Sequence, residues 1–232
     1  MKLWVFGCSY SISSSFKHEN LWDYDKNWID IVAENLDVDK TNINNFSQFG
    51  ISNDVIFHSL IQNIGNISKG DLVIIQTTSS SRKWFFPDDP ALSNFTNMRK
   101  GARPREQETA LKHYVTYLQN DQLDSIQYTA YIYAIMYMRQ GSPGSKFLFL
   151  PGFGTAPESI GNLTENVCDN EFSSPEVISK FYAKSGWDPR LNHMSMENHL
   201  VLADKVTDYF KNGTTLDLTT GFKNNIFRED NI

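Results

Sequence analysis

The strongest constraint on the fold is a short apolar run at residues 71–76, which read Asp-Leu-Val-Ile-Ile-Gln. Four aliphatic residues follow one another with no alternation of polar and apolar side chains. Such a run is typical of a strand that is buried on both faces, as strands are in a parallel sheet. Residues 2–6 and 146–150 carry similar runs, and a shorter segment at 42–46 is a further candidate strand.

Helical patterns lie between these strands. Apolar spacing predicts helices at 27–36, after Ser52, at 106–120, at 124–139 and at 196–210, with Ser52 and Ser195 as N-caps. The helix at 124–139 is rich in Tyr, Ile and Met, so we expect it to be largely buried. The alternation of strands and helices predicts an α/β fold with three layers, α/β/α, around a mostly parallel central sheet, as in flavodoxin-like proteins.

The length of 232 residues suits one domain, which we assign to residues 1–210. Residues 82–105 form an irregular excursion within it, because they combine Trp84, three phenylalanines, three prolines and several basic residues without a regular period. Residues 211–232 are polar and weakly patterned, and they predict a C-terminal tail.

Charge and composition exclude several classes of protein. The net charge of -6 argues against a general nucleic-acid-binding protein, which usually presents a basic face. No stretch approaches the ~20 apolar residues of a membrane span, and the N-terminal apolar run is too short for a secretory signal. We therefore expect a soluble protein, either cytoplasmic or associated with a virion. Cys8 and Cys168 are interpreted as free thiols, and no metal-ligand cluster or nucleotide motif predicts a metal or cofactor.

The candidate catalytic residues lie beyond a strand end and before the last helix. Ser9 follows the first strand, and a serine nucleophile needs a neighbouring base. His193 is the best candidate base, and Asp188, five residues upstream, is the candidate acid that orients it. Two alternatives stay open: that Ser9 belongs only to a polar loop, and that Cys8 is the nucleophile rather than a small buried hydrophobe.

These segments resemble, in order along the chain, the sequence blocks of the SGNH/GDSL hydrolase family. The first block reads Phe-Gly-Cys-Ser-Tyr-Ser and aligns Ser9 with the family's nucleophile. The second, at residues 45–54, aligns Gly50 with the glycine whose backbone N–H joins the oxyanion hole. The last block aligns Asp188 and His193 with the acid and base, with two more residues between them than the family's usual spacing.

The third block departs from the family pattern. The family usually has Gly-x-Asn-Asp after a buried strand, whereas residues 77–82 read Thr-Thr-Ser-Ser-Ser-Arg. Ser79 or Thr77 is the candidate replacement for the missing oxyanion donor, and Gln76 and Arg82 are further alternatives. Removing one such donor from a hydrolase costs on the order of 10²–10³ in rate.

The resemblance implies a serine esterase that hydrolyses a short-chain acyl ester, such as an acetyl ester, on a carbohydrate or small lipid. The alternative is a non-catalytic SGNH-like module that binds a glycan or serves as a structural part of a phage or virus particle. A third reading is acyl transfer to a sugar.

The basic and aromatic excursion supplies Arg82 and Trp84 as candidate substrate-binding residues for an acidic glycan. The competing interpretation is that its aromatic side chains pack on the domain or on a subunit partner. A homo-oligomer or a virion subunit is the expected assembly.

Overall fold

The computed structural model describes residues 1–12, 26–85, 105–153 and 193–223. Their regular elements, in chain order, are β1 (Leu3–Phe6), α1 (Trp28–Asn35), β2 (Ile43–Asn45), α2 (Asn53–Asn63), β3 (Leu72–Gln76), α3 (Arg105–Tyr117), α4 (Asp121–Gly141), β4 (Lys146–Leu150) and α5 (Met196–Asn212). Short 3-10 turns occupy Lys40–Asn42 and Ile64–Asn66. The predicted strands and helices are thus present, with boundaries that differ by one to a few residues.

The described strands form one parallel sheet in the order β2-β1-β3-β4. Leu3 lies opposite both Ile43 of β2 and Leu72 of β3, and Leu72 lies opposite Lys146 of β4. Every residue of β1 and β3 is buried, because helices cover both faces of the sheet. The prediction of a three-layer α/β fold with a parallel sheet is confirmed.

The chain reverses its direction across the sheet between β1 and β3. It runs from β1 outward to β2, and then crosses back over β1 to β3 and on to β4. Helix α1 packs against α5, and α2 packs against α4, as expected when crossovers on the two sides of the reversal cover opposite faces. In open α/β sheets, ligands bind beyond the carboxyl ends of the strands at such a reversal point.

Side-chain caps define where the helices begin. The Asn27 side chain accepts from the backbone N–H groups of Ile29 and Asp30, while the Asp30 carboxylate accepts from the Asn27 N–H. Ser52 and Ser195 accept from Val55 and Asn198 at the starts of α2 and α5, which confirms both predicted N-caps. Each such cap stabilises its helix by about 1 kcal/mol.

Helix α4 is not largely buried, so that prediction is wrong. Only Asp124 and Ile135 are buried along its length, whereas Tyr133 and Tyr137 are 68% and 76% exposed. The helix contacts the domain through the face that includes Ile135, Tyr128 and Met138, whereas Ile126, Tyr133, Met136 and Tyr137 are exposed. An apolar composition does not by itself fix how many faces of a helix are covered.

The first part of the segment predicted as a polar tail packs on the domain. Leu216 and Leu218 are buried, and Leu218 is fully so. The Asn198 side chain donates to the Lys223 carbonyl and accepts from the Lys223 N–H, each at 2.8 Å. These contacts tie residues 216–223 to the start of α5.

No helix in the described ranges is long and apolar enough to cross a membrane.

Candidate active site

The turn after β1 is clamped against β3 by one buried glutamine. Gln76, at the end of β3, accepts hydrogen bonds from the Cys8 N–H at 3.0 Å and the Ser11 hydroxyl at 3.2 Å. A Cβ atom at Gly7 would lie 3.0 Å from Gln76 Oε1, so the two strand ends approach this closely because residue 7 is glycine. The clamp holds Ser9 at the reversal point of the sheet.

His193 faces Ser9 from the other end of the chain. Its Nε2 lies 3.1 Å from Ser9 Oγ, across a sequence separation of 184 residues. The Tyr10 ring lies against the imidazole with a centroid distance of 4.6 Å. His193 is followed by Met194 and Ser195, both buried, and Ser195 anchors the first turn of α5. The two side chains are within the hydrogen-bond reach that a serine nucleophile and its base require.

The loop after β2 lies beside the Ser9 turn. The Gln48 N–H donates to the Gly7 carbonyl at 3.2 Å, and the Asn45 side chain donates to the Ser11 carbonyl at 2.8 Å. Gly50 in this loop has a φ of 65°, a left-handed conformation that favours glycine. The structure therefore brings the loop that carries Gly50 next to the turn that carries Ser9, and the role of the Gly50 N–H stays a prediction.

Two candidate replacements for the missing asparagine are occupied by structural contacts. The Gln76 amide donates to the Thr77 carbonyl, and its oxygen holds the β1 turn, so the prediction that it replaces the oxyanion donor finds no support. Thr77 Oγ1 shares a hydrogen bond with the Tyr128 hydroxyl at 3.0 Å and accepts from the Gly152 N–H at 3.3 Å. Burial raises the pKa of Tyr128, and the Thr77 contact offsets part of that effect.

Ser79 lies in the loop that leaves β3. Its hydroxyl is 2.8 Å from that of Ser81, and its carbonyl accepts from the Arg82 N–H at 3.2 Å. Ser79 remains the candidate hydroxyl donor in this loop, and its place in the oxyanion hole stays a prediction.

Asn53 supports this loop, a role that the sequence analysis did not assign. Its side-chain oxygen accepts from the Thr78 N–H, and its amide donates to the Thr78 carbonyl, both at 2.9 Å. The residue is buried at the start of α2, just after Gly50. The sequence did contain a signal for this role. Asn53 is a polar residue at the first position of α2, which begins at the edge of the sheet. Asn53 couples the loop of Gly50 to the loop of Ser79.

The predicted substrate-binding pair, Arg82 and Trp84, is divided between two environments. Arg82 lies over the Phe153 ring, with Cζ 5.3 Å from the ring centroid, and its Nε and Nη1 are buried with no hydrogen-bond partner among the described residues. Trp84 packs on the core, its backbone N–H donates to the Asp54 carboxylate at 3.1 Å, and its ring lies 5.3 Å from that of His58. These contacts favour the packing interpretation for Trp84.

The histidine of α5, His199, and the alternative nucleophile, Cys8, are both buried, and two other residues named from the sequence lie outside the described residues. His199 is buried on α5, and its Nδ1 accepts from the Trp28 N–H at 3.2 Å, so this histidine stabilises the start of α1. Cys8 is a fully buried free thiol, which favours the interpretation as a small hydrophobe. Asp188 and Cys168 lie outside the described residues. The described ranges hold no cluster of residues suited to a metal ion.

The fold and site together define a parallel α/β protein with a hydrogen-bonded serine and histidine at the reversal point of its sheet. No protein-family model, curated protein sequence or solved structure matches this chain.

Proposed function

We propose that the protein is a serine esterase of SGNH type that hydrolyses a short-chain acyl ester on a carbohydrate or small lipid. The observation that carries the proposal is the 3.1 Å contact between Ser9 Oγ and His193 Nε2. Their positions at the carboxyl end of β1 and before α5 give further support, because ligands of open α/β sheets bind at this edge.

In the proposed reaction, Ser9 Oγ attacks the ester carbonyl while His193 Nε2 takes the hydroxyl proton. The oxyanion accepts hydrogen bonds from the Ser9 and Gly50 N–H groups, with Ser79 as a further donor. The intermediate collapses, and His193 protonates the departing alcohol. A water molecule, deprotonated by His193, then attacks the acyl-enzyme; the bond to Ser9 Oγ breaks, His193 returns the proton to Oγ, and the carboxylic acid leaves. Asp188 orients the imidazole in this scheme.

Hydrolysis of p-nitrophenyl acetate by the wild type, Ser9→Ala and His193→Ala tests the proposal. We expect each substitution to lower kcat/KM by at least about 10³-fold, because the nucleophile and base act as a unit. Ser125→Ala and His113→Ala are matched controls, since both residues are exposed on helices α4 and α3. Labelling by phenylmethylsulfonyl fluoride should map to Ser9. Activity that survives in Ser9→Ala would exclude this serine as the nucleophile.

One observation favours a second candidate, a non-catalytic module that binds a glycan or serves as a subunit of a phage or virus particle. Gln76 and Thr77 are committed to structural hydrogen bonds in the place where the family supplies its asparagine. This reading predicts that the wild type and Ser9→Ala are equally inactive on p-nitrophenyl acetate and on acetylated polysaccharide. Glycan binding without hydrolysis would then favour the module.

A further inference from the structure

Arg82 carries a charge that the described protein leaves unpaired. Two of its three guanidinium nitrogens, Nε and Nη1, are buried and have no hydrogen-bond partner. The adjacent Lys83 is different, since its ammonium group forms a 2.9 Å ion pair with Asp124. A buried donor without an acceptor costs free energy, and the cost is larger when the group is charged.

The position of Arg82 relates it to the candidate active site. Its guanidinium lies 5.3 Å from the centroid of Phe153, whose ring lies 5.6 Å from that of Tyr10. Tyr10 in turn contacts His193 at 4.6 Å. A continuous row of rings therefore joins the guanidinium to the catalytic imidazole. The aromatic face also fixes the orientation of the guanidinium, through a cation–π contact.

A series of hydrogen bonds connects the loop of Arg82 to the Ser9 turn. The Arg82 N–H donates to the Ser79 carbonyl, in the loop that follows β3 and that Asn53 supports through Thr78. The β3 end is joined to the β1 turn through Gln76. Arg82 and Ser9 thus lie in loops that follow adjacent strands on the same edge of the sheet, the edge where open α/β sheets bind their ligands.

We propose that Arg82 binds a carboxylate on the substrate, so that the preferred esters are those of acidic sugars, such as acylated uronic acids. The guanidinium forms charge-assisted hydrogen bonds with the carboxylate, which supplies acceptors that Nε and Nη1 lack among the described residues. The ester group then lies toward Ser9. This inference rests on the proposed esterase function for the identity of the reacting group, but the carboxylate site is testable without catalysis.

The first test compares binding of D-glucuronate and D-glucose, which differ at C6 by a carboxylate, to the wild type by titration calorimetry. We expect the wild type to prefer glucuronate and Arg82→Gln to lose that preference, with glucuronate affinity falling about 10- to 100-fold. Arg82→Lys should keep only part of the preference for glucuronate, because the lysine ammonium group lacks the planar, two-pronged geometry with which a guanidinium binds a carboxylate. Arg139→Gln is the matched control, since Arg139 is an exposed arginine on α4. Circular dichroism and thermal melts verify that each variant is folded.

The second test measures the ratio of kcat/KM for O-acetylated glucuronate and O-acetylated glucose. We expect this ratio to fall toward one in Arg82→Gln. If no ester is hydrolysed but glucuronate binding depends on Arg82, the proposed function fails and the carboxylate site stands. If p-nitrophenyl acetate is hydrolysed through Ser9 but glucuronate binds no better than glucose, or Arg82→Gln leaves the preference intact, the carboxylate site is wrong and the esterase stands.

Discussion

Two regions of the molecule depart from the usual rule that polar side chains are exposed and aromatic ones buried. They are the strand edge around Gln76 and the outer face of helix α4. At the edge, Gln76 and Asn53 are buried and hold neighbouring loops by hydrogen bonds. On α4, Tyr133 and Tyr137 are mostly exposed. The comparison teaches that burial here follows position in the fold rather than side-chain polarity. The hydrogen bonds of Gln76 and Asn53 hold the loops of the candidate site, because an unpaired buried polar group costs free energy.

The largest expected effect comes from the ion pair that joins the two regions. Lys83, beyond the strand edge, and Asp124 of α4 lie 2.9 Å apart with side chains only 12% and 4% exposed. Lys83→Met leaves a buried carboxylate without its partner, and we expect a loss of about 3–5 kcal/mol in the free energy of unfolding. Urea denaturation measures it.

Lys26→Met is the matched control for this ion pair. Lys26 and Glu34 lie 2.8 Å apart, but their side chains are 44% and 45% exposed. Solvent screens such a pair, so its loss should change stability by less than about 0.5 kcal/mol. Equal effects of the two substitutions would contradict the argument from burial.

Substitutions on the two faces of helix α4 should change the stability of the protein by different amounts. Ile135 is 7% exposed, so Ile135→Ala removes buried apolar surface and should lower the free energy of unfolding by about 2–4 kcal/mol. Tyr133→Ala, on the exposed side, should cost less than about 0.5 kcal/mol. Thermal melts of the two variants at equal protein concentration measure the difference. A large loss from Tyr133→Ala would show that this face is covered in solution.

The next largest loss of stability is expected from steric crowding at Gly152, just after β4. A Cβ at Gly152 would lie 1.9 Å from the Thr77 carbonyl oxygen, which is backbone and cannot move aside cheaply. Gly152→Ala should therefore destabilise the protein by about 2–3 kcal/mol. At Gly65 a Cβ would meet no atom within 4 Å, so Gly65→Ala should be neutral or stabilising. Chemical denaturation of both variants separates crowding from the general effect of replacing glycine.

The smallest effect is pH-dependent and lies at the opposite end of the sheet. Burial disfavours the charged form of Asp71, but hydrogen bonds from Ser68, Trp4 and Lys2 outweigh it and hold its pKa below the ordinary value. A lowered carboxyl pKa stabilises the folded state above the unfolded pKa, and this stability is lost as pH falls through the folded pKa.

Asp71→Asn should thus cost about 1–2 kcal/mol at pH 7, because the amide cannot accept all three hydrogen bonds. The difference in unfolding free energy between Asp71→Asn and the wild type should shrink below about pH 4, where the carboxyl of the unfolded chain begins to protonate. Denaturation at pH 7 and pH 3 measures it, with Glu106→Gln as an exposed control. A difference that stays constant across this range would show that the charge of Asp71 does not matter.

Local patterns were sufficient to predict most of the framework. The apolar run of β3, the serines that cap α2 and α5, and the positions of Ser9 and His193 near the ends of elements are all readable from neighbouring residues. They are readable because strand burial and helix capping depend on side chains within a few positions of each other. The fold class followed from the order of these elements.

Contacts between distant parts of the chain were decided only by the tertiary structure. Gln76 and Thr77 looked like candidate donors until β1, α4 and β4 supplied their partners. The apolar residues of α4 looked buried, but the fold covers only one of its faces. The sequence determined which side chains are available for burial or chemistry. The packing of distant elements determined which side chains are covered or paired, and which, like the Arg82 Nε and Nη1, have no partner in the described part of the chain. Those outcomes depend on neighbours that no local pattern contains.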